Sequence, residues 1–197
     1  MSTEISDGQD AADMEHLAAG RDAALNDLME RHSEPLFHFL IRLLHDEADA
    51  TDLAQETFVR VYQNCRKFDL GQKFSTWLYT IATNLARDRL RWRLRHPQVS
   101  LDAENDETGA KLGDVLPEKA PLPSETIEAN ERAATVRDAV AALPEELRVP
   151  LVLAEYEGQS QVEIAGILNC SVKAVEMRIY RARQQLRGRL EKLLEEA

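Results

Sequence analysis

Residues 68–96, FDLGQKFSTWLYTIATNLARDRLRWRLRH, decide how this chain folds. The start of the stretch predicts a loop, in which Gly71 supplies backbone freedom. From Thr76 onward no Gly or Pro interrupts the sequence, which predicts one helix of about five turns capped by Ser75. Apolar residues recur along it at helical spacing and predict a buried stripe. The stripe consists of Phe74, Leu78, Ile81, Leu85 and Trp92, and the opposite side carries Trp77, Thr80, Asn84, Asp88, Arg91 and Arg95.

This helix and the loop before it are strongly basic. Between residues 67 and 95 there are seven Lys and Arg side chains and only two acids. A basic helix with aromatic side chains at its entrance suits a groove that follows a nucleic-acid backbone and stacks unpaired bases. A solvated basic face over an ordinary core explains the same charges equally well. The stretch alone leaves both interpretations open.

The charge of the whole chain hides a segregation. The net charge of −11 ordinarily argues against nucleic acid. However, residues 60–96 carry nine bases and two acids, and residues 164–190 carry six bases and one acid. Residues 1–59, by contrast, carry three bases and fourteen acids. A polyanion can meet the two basic segments, while the acidic ones repel it or serve a basic protein partner.

Several classes of protein are not expected. Cys65 and Cys170 are far apart and predict neither a disulfide framework nor a zinc site. The acidic N-terminus is unlike a signal peptide, and no apolar run approaches the roughly 20 residues that cross a bilayer. We therefore expect a protein of the reducing cytoplasm with no membrane insertion. The five histidines are scattered and no Gly-rich phosphate loop appears, so we expect no cofactor, no metal and no enzyme.

The segment before residue 68 predicts four helices. Residues 1–9 should be disordered, followed by helices over residues 10–19 and 22–31, and by a third that starts at Pro35 and runs to about residue 45. A fourth helix should span residues 49–64. Its exposed side is predicted to carry Asp49, Asp52, Gln55, Glu56, Val59, Tyr62 and Gln63. Acids in a first turn stabilise a helix by themselves, but carboxylates mixed with apolar side chains favour a docking surface for a basic partner.

The rest of the chain predicts a linker and a second helical domain. Residues 97–123 are rich in Pro and acids and mark a flexible linker between domains at 1–96 and 124–197. Helices should span 124–143 and 144–156, the latter kinked or split by Pro150. Ser160 and Glu163 form a capping box before a short helix.

A tight turn at residues 169–171 then leads into a longer basic helix from residue 172 to about 190, which is the helix-turn-helix plan. A plain helical hairpin is the alternative. The predicted fold class is all-α, with two helical domains joined by a flexible acidic linker and a helix-turn-helix in the C-terminal domain. The outward face of the last helix carries Lys173, Met177, Tyr180, Arg181 and Gln184, flanked by Arg178 and Arg183.

Three segments together resemble the extracytoplasmic-function sigma factors, the small promoter-recognition subunits of bacterial RNA polymerase. They are DATDLAQETFVRVYQN, KFSTWLYTIATNLARDRLR and LPEELRVPLVLAEYEGQSQVEIAGILNCSVKAVEMRIYRARQQLR. The resemblance covers about residues 10–96 and 124–190. Two departures are Asn169, where the family usually has Gly, and Glu176-Met177, where it often has a basic residue and Ser. The second departure leaves the target sequence open.

The resemblance implies a region two that binds the polymerase clamp and melts the minus-ten element, and a region four that reads the minus-thirty-five element. It further implies the polymerase flap and an anti-sigma protein as partners, and a linker that runs toward the RNA exit path unless it is a plain tether. By motif position, polymerase binding would fall on Asp49, Asp52, Leu53, Gln55, Glu56, Val59 and Tyr62. Minus-ten recognition would fall on Lys67, Lys73, Phe74, Trp77, Asn84, Asp88 and Arg91. Minus-thirty-five contacts would fall on Lys173, Glu176, Met177, Arg178, Tyr180 and Arg181.

Two functions of different class remain at this point. One is a sigma subunit that acts within polymerase, and the other is a stand-alone helix-turn-helix regulator that binds operators unaided. The predicted docking face on residues 49–63 and the absence of an obvious dimer helix favour the sigma subunit.

Overall fold

The computed structural model describes residues 2–96 and 133–195, with side chains over residues 7–96 and 133–191. Within these ranges the chain forms eight α-helices and no strand, which confirms the all-α fold class. A short 3₁₀ turn, Cys65–Lys67, follows the third helix. The helices are α1 Ser2–Ala18, α2 Ala23–Leu44, α3 Glu47–Asn64, α4 Phe74–Arg95, α5 over residues 133–141, α6 Glu145–Glu155, α7 Gln161–Leu168 and α8 Val172–Glu195.

Helix α1 begins at Ser2, so the expected disorder over residues 1–9 was wrong for residues 2–9. Its anchor is Asp10, which is 1% exposed. The Asp10 carboxylate accepts hydrogen bonds from Arg31 Nε at 2.9 Å and pairs with His32 Nε2 at 2.8 Å, both on α2. These long-range bonds, and the burial of Met14 against the core, explain why a polar N-terminal sequence is helical.

Two prolines lie inside helices rather than at their ends. Helix α2 runs unbroken through Pro35, where we expected a new helix to start, and α6 contains Pro150 without splitting. In both helices the buried stripe continues on each side of the proline, as with Leu28 and Leu36 in α2. Burial of that stripe outweighs the cost of the missing hydrogen bond.

The start of α4 also differs from the sequence-based prediction. The helix begins at Phe74, and Lys73 is its N-cap without a side-chain hydrogen bond, so Ser75 is not the cap. Phe74, Leu78 and Leu85 are buried as predicted, but Trp92 is 41% exposed and does not belong to the inward stripe. The buried residues of α4 end at Ala86, and Trp92 lies beyond them toward the end of the helix.

The predicted helix-turn-helix is confirmed in detail. Ser160 and Glu163 form the capping box at the start of α7, and Asn169 adopts the left-handed conformation with φ 49°. The Ala174 N–H donates to Ser171 Oγ at 3.2 Å and so caps α8. Ile164 and Val175 are fully buried between the two helices.

Candidate polymerase and nucleic-acid interfaces

The outward face of α3 mixes carboxylates with exposed apolar side chains. Val59 is 46% and Tyr62 44% exposed, and Asp52 and Gln55 are exposed beside them. Glu56 is half-buried and accepts a hydrogen bond from Arg60 Nε at 2.8 Å. Exposed apolar groups beside carboxylates are typical of a surface that binds another protein.

Two residues of the predicted polymerase-binding set do not lie on this face. Asp49 is buried and forms ion pairs with Arg89 and Arg93 of α4, so the expectation that it is exposed was wrong. Leu53 is 5% exposed and belongs to the core. Both side chains hold α3 against α4 and position the face rather than form it.

The loop before α4 is organised by an aromatic cluster. Phe74 is 1% exposed, so it supports the loop from below and is not available for stacking on a base. The rings of Phe68 and Trp77 lie 5.1 Å apart, and those of Phe74 and Trp77 lie 6.4 Å apart. Trp77 is half-buried, so only part of its ring is open to solvent. Among the predicted loop contacts, Lys67 and Lys73 are the exposed ones.

The outward side of α4 carries three of the predicted DNA contacts. Asn84, Asp88 and Arg91 are exposed, and Arg91 lies 3.4 Å from the Asp88 carboxylate. Other arginines of this helix have structural partners instead. Arg87 pairs with Glu145 at 2.9 Å, and Arg89 and Arg93 pair with Asp49. The basic character of α4 is thus divided between a solvent-exposed face and the ion pairs that hold the fold.

Lys73 is engaged from two other helices. Its Nζ lies 3.3 Å from the Asp7 carboxylate of α1 and 3.1 Å from the Glu163 carboxylate of α7. The hydrogen bond to Glu163, followed by the one to Asp7, raises the pKa of Lys73 above its ordinary value. Lys73, which we expected to contact DNA, therefore carries a full positive charge, but that charge is already paired with two carboxylates.

The outward face of α8 is open. Lys173, Glu176 and Arg181 are exposed, as are Met177 at 39% and Tyr180 at 56%. Lys173 Nζ lies 2.9 Å from Glu176, and Gln184 Nε2 donates to the Tyr180 hydroxyl at 2.7 Å.

Arg178, at the edge of the α8 face, is half-buried, with its Nη1 3.7 Å from Cys170 Sγ. This contact directs it toward the turn between α7 and α8. Of the six predicted minus-thirty-five residues, Arg178 is the one that the structure does not bring to the open face.

Contacts between the two halves of the chain were not predicted. The Tyr79 hydroxyl of α4 donates to Glu157 Oε2 at 2.6 Å, in the turn after α6. Burial raises the pKa of both groups, and the Glu157 side chain is only 4% exposed. Arg42 lies 3.4 Å from the same carboxylate and over the Tyr156 ring, 4.3 Å from its centroid. Tyr79 and Glu157 both lie in segments quoted for the family resemblance, but nothing in the spacing of residues along the chain pairs one with the other.

The fold and these faces define a class: an all-helical DNA-binding protein with a helix-turn-helix and a second helical region that carries a basic helix. Residues 28–95 match the family described as Sigma-70 region 2, and residues 133–186 match Sigma-70, region 4. The chain belongs to the extracytoplasmic-function sigma factors of RNA polymerase. It is a promoter-recognition subunit that binds the polymerase core and directs transcription initiation, and it is not an enzyme.

Similar proteins cover nearly the whole chain. The RNA polymerase sigma-H factor of Pseudomonas aeruginosa is 37% identical, over 96% of this chain and 97% of its own length. The ECF RNA polymerase sigma factor SigW of Bacillus subtilis is 36% identical, over 88% of this chain and 92% of its own. CnrH, solved in complex with the cytosolic domain of CnrY, has a TM-score of 0.69 and 28% identity, and 93% of this chain and 98% of CnrH are covered. In the described residues, no helix combines the length and apolar character that crossing a membrane requires.

Proposed function

We propose that the outward face of α3 is the surface that docks on the polymerase clamp. Asp52, Gln55, Glu56, Val59 and Tyr62 form it, and Asp49 and Leu53 support it from the core. The carboxylates attract a basic partner. The two exposed apolar side chains, Val59 and Tyr62, supply apolar surface that is removed from water when the partner docks. Asp52 carries particular weight, because it has no ion pair within the described residues and is free to meet a cation.

The minus-ten element is read by the loop at residues 67–73 and the exposed end of Trp77, with Asn84 and Arg91 further along α4. The half-buried Trp77 ring, held by Phe68 and Phe74, is a rigid platform for one unstacked base. Stacking of this kind contributes roughly 1–3 kcal/mol per base, which offsets the cost of removing the base from the duplex.

The minus-thirty-five element is read by α8 in the major groove. Arg181 and Lys173 meet phosphates or guanine, and Tyr180 and Met177 supply apolar contacts. Glu176 is held 2.9 Å from Lys173, so its carboxylate stays close to a cation on this face and can accept a hydrogen bond from cytosine N4. Arg178 instead shapes the turn through Cys170.

We further propose that the chain divides into functional segments at residues 1–96, 97–123 and 124–197, and that the two outer segments separate when promoter DNA is bound. The names minus-thirty-five and minus-ten place the two promoter elements about 25 base pairs apart, which is about 85 Å at ~3.4 Å per pair. A compact chain of 197 residues has a radius of gyration of only about 16 Å. The contacts that Tyr79 and Lys73 make with the other half of the chain therefore have to open. The proposed linker, residues 97–123, is long enough to span about 90 Å when extended.

The protein acts in the cytoplasm, where polymerase and promoter DNA are found, and an anti-sigma protein is its regulatory partner. CnrH, which shares this fold, is seen in complex with a second protein, CnrY. A groove of about 670 Å³ between the end of α2 and α5 is lined from both halves, by Ile41, Val136, Val140 and Tyr156 among others. A partner seated in that groove would hold the two halves together.

The free Asp52 carboxylate on a mixed polar and apolar face is the observation that carries the docking proposal. Asp52→Lys should weaken core binding at least about tenfold and lower polymerase-dependent run-off transcription accordingly, since reversing a docked charge is worth more than about 1.4 kcal/mol. Circular dichroism should be unchanged. Asp27→Lys, the same charge reversal at an exposed acid of a different helix, α2, is the matched control. Equal core binding by both variants would contradict the proposal.

A further inference from the structure

A groove of about 450 Å³ runs between α3 and α4, beside the docking face. Leu53 and Leu85, which are 5% and 7% exposed, form its apolar floor. Trp92 lines it from α4 and is 41% exposed. The sequence pattern had assigned this tryptophan to the core, so its exposure is a property that only the structure reveals.

Trp92 is held in place although it is exposed. Its ring stacks on the ring of His96, with centroids 4.9 Å apart and planes inclined by 21°. A large aromatic side chain that is ordered before binding loses little conformational entropy when a partner covers it. Such aromatic anchors beside a groove account for a large part of the binding energy at protein interfaces.

The charges around the groove select the occupant. Asp52 and Asp88 line it; Asp52 has no ion pair within the described residues, and the Asp88 side chain is 73% exposed with only Arg91 at 3.4 Å. The two basic residues of the lining already have partners: Arg89 pairs with Asp49, and Arg60 Nε lies 2.8 Å from Glu56 Oε1. The open carboxylates repel DNA phosphates, and they also repel a second copy of this chain, whose net charge is −11. They attract a basic segment.

We propose that the polymerase-docking surface extends from α3 across this groove onto α4, with Trp92 as its anchor. The occupant is a basic segment of the polymerase core that places an aliphatic side chain against Trp92 and a Lys or Arg between Asp52 and Asp88. Asp88 then faces the polymerase rather than the minus-ten DNA. The inference rests on the proposed docking role of α3 and adds a second helix to that surface.

The test is the affinity of the full-length protein for core polymerase, measured for substitutions at two positions of α4. Trp92→Ala should weaken binding about tenfold to thirtyfold, as expected for an interface anchor. Trp92→Phe, which keeps an aromatic ring, should stay within about threefold of the unchanged protein. Leu94→Ala is the matched control, because Leu94 is 84% exposed on the same helix and does not line the groove.

Thermal unfolding is recorded for every variant, and Trp92→Gln replaces Trp92→Ala if the latter is unfolded. The proposal is supported if Trp92→Ala weakens the affinity for core polymerase while Trp92→Phe restores it and Leu94→Ala leaves it unchanged. Normal binding by Trp92→Ala while Asp52→Lys fails to bind would overturn it and leave the docking role of α3 intact. Normal binding by both would overturn the docking role of α3 as well. An equal loss for Leu94→Ala would show a general effect of the helix end and also overturn the inference.

Discussion

Asp49 and Asp52 lie one turn apart on α3, yet they have different roles. The Asp49 side chain is 12% exposed and pairs with Arg89 and Arg93, whereas Asp52 faces solvent. Asp49→Asn should lower the free energy of unfolding by about 1–3 kcal/mol, less than for a fully buried pair because both arginines are about a third exposed. Asp52→Asn should change it by less than about 0.5 kcal/mol. Urea unfolding of the two variants measures these changes. Equal losses of unfolding free energy in both variants would contradict the different roles of Asp49 and Asp52.

His45 gives one contact between the halves a pH dependence. Arg148 Nη1 of α6 donates to His45 Nε2 at 2.9 Å, which requires a neutral imidazole. Burial, and then the charge of Arg148, lower the pKa of His45 below its ordinary value of 6.5, although Asp138 opposes them. Because the folded pKa is lowered, the stability from this contact is complete above pH 6.5 and is lost as the pH falls below that value.

Acidification from about pH 7.5 to about pH 5.5 should therefore destabilise the wild-type chain more than a His45→Asn variant. Asn is chosen because His45 has a φ of 53°, a conformation that Asn tolerates. Glu157 acts in the opposite direction, since its raised pKa favours the folded state at low pH. It is present in both proteins, so the difference between their thermal midpoints isolates His45. Parallel pH profiles would show that the contact contributes nothing.

At the scale of the element, α2 is the helix that joins the parts of region two, and it does so despite Pro35. The proline is exposed, while Leu36, Phe39 and Leu40 beyond it are fully buried. Pro35→Ala should raise the free energy of unfolding by about 1–3 kcal/mol, because Ala restores a backbone donor and removes the clash with the preceding turn.

Glu34→Ala is the control for Pro35→Ala, because it is the adjacent position and its side chain is 85% exposed. It should change stability by less than about 0.5 kcal/mol. Chemical denaturation of both variants is the measurement. Loss of stability in Pro35→Ala would mean that the packing of α1 and α3 on α2 depends on a bend at the proline.

At the scale of the whole molecule, ion pairs connect the region around α4, which carries the proposed minus-ten contacts, to the half of the chain that carries the helix-turn-helix. Glu163 caps α7 and also pairs with Lys73, while Glu145 pairs with Arg87. The double variant Glu145→Gln/Glu163→Gln keeps a Gln in the capping box, where Gln is a normal partner, and removes both charges. Each partly exposed pair contributes little, so the free energy that favours contact between the two halves should fall by about 0.5–2 kcal/mol in this variant. The ratio of molecules with the halves in contact to molecules with the halves apart should then shift about two- to thirtyfold.

Small-angle scattering of the free double variant should show a larger radius of gyration, and a single-stranded minus-ten oligonucleotide should bind it more tightly. Glu146→Gln is the control, because Glu146 is the exposed neighbour of Glu145 and no ion pair is seen for it in the described residues. An unchanged radius and unchanged oligonucleotide binding in the double variant would show that these two pairs do not hold the halves together.

The sequence by itself determined what depends on neighbours along the chain. The capping box at Ser160, the left-handed turn at Asn169, the helix-turn-helix and the all-α class follow from local spacing and from side chains that bond their own backbone. The family, and with it the promoter-recognition function, was also readable, because several such local motifs occur in one order.

The tertiary structure alone decided which side chains remain free. It buried Asp49 against two arginines, exposed Trp92, kept α2 continuous through Pro35 and joined Tyr79 to Glu157 across 78 positions of the chain. A periodic pattern assigns a residue to a side of its helix, but it does not specify where the neighbouring helix ends or which charge that neighbour presents. Those properties arise from packing between distant segments, and they determine which carboxylates can meet a partner and which only hold the fold.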